Sequence, residues 1–102
     1  MTVMSKKSFD EPDEVRNPKE DMRVEFVEMG GLRFRRHTAS PGYKGQNCDI
    51  DHLLFVISGN FHARMPDGQE SHFGPGEIAV IPPGHDAWND GDEPVVWLEI
   101  PH

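Results

Sequence analysis

The chain has 102 residues and a formal net charge of −8, from 18 acidic and 10 basic side chains. That length supports one domain with a single modest core, and the acidic balance argues against nucleic acid or an anionic membrane surface as a partner. A single cysteine, Cys48, leaves no internal disulfide and fits a reducing, cytoplasmic setting, while ten glycines and nine prolines suit a compact fold with many turns.

Residues 1–22 (MTVMSKKSFDEPDEVRNPKEDM) are polar, charged and broken by Pro12 and Pro18. Their lysines have no apolar run behind them, so the segment reads as an extended arm rather than a signal peptide. Phe9 and Val15 are its anchors, and most of residues 1–8 are expected to lack stable helix or sheet. Residues 23–102 form the domain proper, with short runs at period two. In RVEFVEM, Val24 and Phe26 alternate with charges. In GLRFRRHTA, Leu32 and Phe34 share one face, and Arg33, Arg35 and His37 share the other. That second face reads as solvated or subunit-facing. HLLFVI, His52 to Ile57, is apolar on both faces. NFHARM runs to Pro66-Asp67-Gly68, EIAVI runs into Pro82-Pro83-Gly84, and PVVWLEI follows. Short strands cut by glycine and proline turns predict an all-β sandwich or barrel. No apolar stretch reaches the ~18 residues that cross a bilayer. A strand apolar on both faces must hide its second face, and a homodimer interface is the simplest cover.

The run GPGEIAVIPPGHDAWN resembles the cupins, over roughly Gly45 to Asn89. The family's second motif reads G-x5-P-x-G-x2-H-x3-N, and Gly76, Pro82 and Gly84 match its opening. The resemblance implies a double-stranded β-helix, a jelly-roll barrel, with a metal ion inside. In the family two residues separate the last glycine from the metal-binding histidine, whereas here His85 follows Gly84 at once. His85 and Asn89 nevertheless keep the H-x3-N interval. Losing two residues preserves which face later side chains occupy, so His85 is expected to point into the barrel. The first motif reads G-x5-H-x-H-x3,4-E-x6-G. Counted back from Gly59, it places His52 at the glutamate and Gln46 and Cys48 at the two histidines.

Cys48, His52 and His85 are therefore the candidate metal ligands. Gln46, His62 and Trp88 are further ligand or pocket candidates. On one straight strand Cys48 and His52 would stand about 13 Å apart, at about 3.3 Å per residue. But Asp49-Ile50-Asp51 reads as a three-residue hairpin loop, across which facing Cβ atoms come within about 4.5–5.5 Å. One thiolate with two imidazoles suits a divalent transition metal such as zinc, nickel, copper or iron. Plainer roles stand beside these. Cys48 can be a small buried residue, and His85 can fix its turn through a neighbouring carbonyl. Trp88 can pack over that turn. His62, alternating with Phe61 and Ala63, faces away from them. His72 and His102 read as surface residues, and Glu99 as an exposed strand carboxylate. Three classes of function follow. The barrel is a metal-dependent enzyme for a small organic molecule, a ligand-binding or sensing module without turnover, or a structural dimer with no metal.

Overall fold

Period-two alternation buries one face of each strand, and two such sheets close their apolar faces on each other. A computed structural model describes residues 3–101. Its strands in chain order are β1 (Glu14–Lys19), β2 (Met22–Met29), β3 (Leu32–Ala39), β4 (Lys44–Cys48) and β5 (His52–Ser58). They continue as β6 (Phe61–Arg64), β7 (Glu70–Phe73), β8 (Ile78–Ile81), β9 (His85–Trp88) and β10 (Val95–Glu99). The described residues contain no helix, so none is long and apolar enough to cross a membrane. All strand pairs are antiparallel, in a six-stranded sheet ordered β1-β2-β3-β10-β5-β8 and a four-stranded sheet ordered β4-β9-β6-β7. This is the expected all-β jelly roll. Leu54 and Val56 of β5, Val24 and Phe26 of β2, Phe61 of β6 and Trp97 of β10 fill the space between the sheets.

Part of the N-terminal arm joins the larger sheet. β1 pairs with β2 from Glu14 opposite Phe26 to Lys19 opposite Met22. Residues 3–8 carry no strand; Met1 and Thr2, like His102, lie outside the described residues. The arm also crosses the outer face of the sheet. The Arg36 guanidinium sits 5.3 Å from the Phe9 ring centroid and donates to both carboxylate oxygens of Glu25, at 2.8 and 3.0 Å. Those hydrogen bonds hold the buried Glu25 carboxyl below its ordinary range against the cost of desolvation.

The two-faced run at His52–Ile57 divides as the pleat requires. Leu54 and Val56 point inward, while Leu53 and Phe55 point outward opposite Val80 and Ile78 of β8. β8 is an edge strand, and its Ile78 and Val80 are 68% and 73% exposed. The four outward side chains of this strand pair are all apolar.

Candidate metal centre

β4 belongs to the four-stranded sheet and β5 to the six-stranded one, so residues 49–51 form no hairpin. They carry the chain from one sheet to the other across the end of the barrel. Cys48 and His52 close that corner from either side, and both face inward. The Cys48 Sγ lies 3.7 Å from the His52 Nε2. Cys48 is also the direct partner of His85 in the β4–β9 pair, which puts both side chains on one face. The Gly84 amide donates to the Cys48 carbonyl at 2.6 Å and holds the short turn against β4. Gly84 takes a φ of +94° in that turn, where a side chain would be strained. His85 points into the barrel as expected, only 3% exposed. One donor atom from each of Cys48, His52 and His85 lies within 4.8 Å of the others.

Hydrogen bonding fixes which nitrogen each imidazole offers. The His85 Nδ1 is 2.7 Å from the Pro82 carbonyl oxygen. A carbonyl only accepts, so Nδ1 carries the proton and Nε2 keeps the lone pair. The His52 Nδ1 donates to one oxygen of the Glu99 carboxylate, whose other oxygen accepts from the Trp97 Nε1–H at 2.7 Å. Both histidines thus have Nδ1 bound to an acceptor, the arrangement that orients metal-ligating imidazoles. Tetrahedral zinc with bonds of about 2.0–2.3 Å brings its ligand atoms to roughly 3.3–3.8 Å from one another. Side-chain adjustments of about 1 Å would close the observed group to that spacing. The donor set fits a late first-row ion.

Burial pulls the His52 pKa down, but the Glu99 hydrogen bond and charge, with Cys48, outweigh it and push it up to about 9. Glu99 shows the reverse balance, as burial raises it and the His52 contact brings it below its usual range. Without metal, His52 therefore holds its extra proton more tightly folded than unfolded. That stabilisation is fully present below the unfolded value near 6.5 and is lost as pH rises through about 9. The metal-free wild type should exceed Glu99→Gln in stability at pH 6, and the difference should shrink by pH 10. Denaturant unfolding at both pH values checks this, and a pH-independent difference would contradict it.

The three donors lie at the wall of a cavity of about 320 Å³, lined besides by Lys19, His37 and apolar and aromatic side chains such as Leu54, Phe61, Ile81, Tyr43 and Trp97. Gln46 is exposed and does not line it. Asn47 takes a φ of +51° and the β4–β9 register shifts between Gly45 and Cys48, so counting by twos fails there. His62 faces outward, stacked on Trp88 with centroids 5.4 Å apart, and its Nε2 is 3.3 Å from an Asp90 oxygen. Trp88 borders the cavity while its ring is held by His62. Two residues read as surface groups are inside. Glu99 is 8% exposed and braces His52. His37 lines the cavity beside Trp97, its direct β-partner. Asn89 is a clasp: fully buried, its side-chain amide donates to the Ala39 and Glu93 carbonyls, and its oxygen accepts from the Gly91 amide.

A model of the cupin domain family, Cupin_2, matches residues 49–101. No curated protein matches the chain. Among solved structures, the polyketide cyclase RemF from Streptomyces resistomycificus is similar with a TM-score of 0.73 and 21% identity, over 95% of this chain and 78% of that one. The Cupin_2 domain of an XRE family transcriptional regulator from Enterobacter cloacae has a TM-score of 0.64 and 18% identity, over 78% of this chain and 94% of that one. An oxalate decarboxylase from Lactobacillus farciminis, in complex with formate, has a TM-score of 0.68 and 16% identity, over 97% of this chain and 33% of that one. At these identities the likeness is one of fold.

Proposed function

We propose, from the premise that this chain belongs to the cupin domain family, that its barrel holds one divalent transition-metal ion on Cys48, His52 and His85 and takes a small organic molecule in the cavity beside it. The observation that carries this reading is the convergence of one sulfur and two imidazoles whose Nδ1 atoms are already bound elsewhere. Three protein ligands leave a position for water or for an oxygen of the guest, and an ion there would supply Lewis acidity. Glu99, steadied by Trp97, keeps the His52 ring turned toward Cys48. A reducing cytoplasmic setting, which keeps the thiol free, belongs to the same reading. The similar folds include two named enzymes and a regulator's domain, which supports barrels with and without turnover.

Cobalt titration tests it. Binding should saturate at one equivalent with a thiolate-to-cobalt charge-transfer absorption, and folded protein without that band would overturn the reading. The competing reading uses the same atoms without metal, with Cys48 as nucleophile, His52 as its base and Glu99 as the orienting carboxylate. There, iodoacetamide would alkylate Cys48 at a rate that zinc does not change.

We also propose that two copies pair through the outer face of β5 and β8. An edge strand that carries Ile78 and Val80 beside Leu53 and Phe55 of β5, with no charge among them, can meet its own copy about a two-fold axis. Light scattering at micromolar concentration should give a dimer, and Ile78→Lys with Val80→Lys should give a folded monomer. A monomeric wild type contradicts the pairing.

A further inference from the structure

His37 has no part in the metal group, yet it is the most anomalous polar side chain in the barrel. It stands on β3 directly opposite Val24 of β2 and Trp97 of β10, on the face that looks into the cavity. Its ring lies flat against the Trp97 indole, with centroids 4.9 Å apart and 13° between planes. Both ring nitrogens are buried and neither has a partner within the protein, and no other described side-chain atom shares that condition. A buried polar atom left unpaired costs about 1–3 kcal/mol. Such groups are few in native structures and each calls for a physical reason. The half-buried ring lines the cavity while both nitrogens are covered, so pairing with a guest requires the ring to turn about its Cβ–Cγ bond. Burial, only partly offset by the Glu99 charge and reinforced by Arg35, lowers the His37 pKa to about 4, so the ring stays neutral. A neutral imidazole carries one N–H donor and one lone pair.

We propose that His37 is the polar recognition group for a ligand in this cavity, and that it pairs with an uncharged hydroxyl or carbonyl oxygen on a flat, otherwise apolar molecule. This rests on the cavity's role as a ligand site and does not need the metal. The chemistry of the surroundings selects the class. The walls are aromatic and aliphatic, as in sites where a few convergent polar atoms fix the orientation of an apolar guest. Lys19 is the one lysine or arginine among the described lining residues. Its ammonium donates to the Lys44 carbonyl at 2.7 Å and sits over the Tyr43 ring. No lysine or arginine is thus free for a carboxylate guest beside His37, the His52 imidazole is already paired with Glu99, and Glu99 carries its negative charge on the same side. A phenol, enol, ketone or lactone suits this environment better than an organic anion.

A matched pair of probes, 2-naphthol and naphthalene, tests the assignment on zinc-loaded and on metal-free protein. The wild type should bind 2-naphthol roughly five- to tenfold more tightly than naphthalene, the worth of one net hydrogen bond. His37→Phe keeps an aromatic ring on Trp97, and should bind naphthalene as the wild type does while losing the preference for the hydroxyl. In the wild type, the His37 ring 15N signals should move with 2-naphthol and stay still with naphthalene. An equal preference in wild type and His37→Phe, or unmoved 15N signals, overturns the role of His37 and leaves the cavity's role intact. Failure of both probes to bind wild type overturns the ligand site itself, and the proposal with it. A preference that appears only with zinc assigns the hydroxyl to the metal and also overturns it.

Discussion

Cys48→Ser and His85→Ala should each lower zinc affinity by more than ~100-fold with the barrel still folded. Loss of a residue that merely orients a ligand already costs about 10–100-fold; loss of the ligand itself costs more. The two substitutions are chosen because neither strands a charge. Cys48 is only partly buried and its sulfur contacts little besides His52 and the Ile50 carbonyl. His85 releases one hydrogen bond, to a proline carbonyl at the start of a turn. His52→Ala is different, because it leaves the buried Glu99 carboxylate with only the Trp97 donor, and an unpaired buried charge is strongly destabilising. Calorimetric titration measures the affinities, and circular dichroism checks the fold. Binding should also weaken in acid, since the thiol and both imidazoles must be deprotonated to bind. At neutral pH the ion must displace the proton that Glu99 helps His52 retain, so binding should release protons to the buffer. Equal affinities across wild type and variants would make Cys48 and His85 structural.

Gly59→Ala should destabilise the protein by about 3–5 kcal/mol, among the largest single-residue effects expected anywhere in the chain. The turn after β5 passes directly beneath the start of β10. A Cβ on Gly59 would stand 2.7 Å from the Val95 Cα and closer still to the Pro94 carbonyl oxygen. Both are backbone atoms and cannot swing aside as a side-chain tip can. Gly59 also sits at φ +76°, where an L side chain is strained whatever the space. Gly68→Ala supplies the control, for it shares the positive φ, at +92°, but its added Cβ would meet nothing. It should lose only about 1–2 kcal/mol, the backbone share. Denaturant midpoints of the two variants separate clash from strain, and equal losses would show that the turn moves to accept the methyl group.

The strands that alternation reveals in the sequence are those that bury a face against the opposite sheet: β2, β3, β5, β6, β8 and β10. Four strands escape it. EVRNPK, KGQNC, ESHF and HDAW hold few apolar residues, and they are strands because a neighbour pairs with them, which no local pattern records. The site was legible in composition and less so in geometry. The resemblance to the family's two motifs singles out Cys48, His52 and His85, whose donor atoms the fold brings within 4.8 Å of one another. The corner that joins Cys48 to His52 is a crossing between sheets, and a loop of three residues does not say which sheet follows. Glu99 was within reach, since the period of two in VVWLE puts it with Val95 and Trp97, both buried. His37 misleads because the inward face of β3 changes character along its length. Toward the barrel's end, Arg33 covers the Phe26 ring at 4.2 Å and reaches out to Glu14 at 2.5 Å. Four residues later the same face is interior. Long arginine side chains can leave the barrel from an inward position, and an imidazole cannot.

The coordination sphere itself is the most direct test of the metal centre. The zinc X-ray absorption spectrum of loaded wild type should show one sulfur at about 2.3 Å and two imidazole nitrogens at about 2.0–2.1 Å, with the remaining scatterer a light atom. In Cys48→Ser the sulfur shell should vanish. A sphere of nitrogen and oxygen alone in the wild type would place the ion elsewhere and reduce Cys48, His52 and His85 to a packed corner of the barrel.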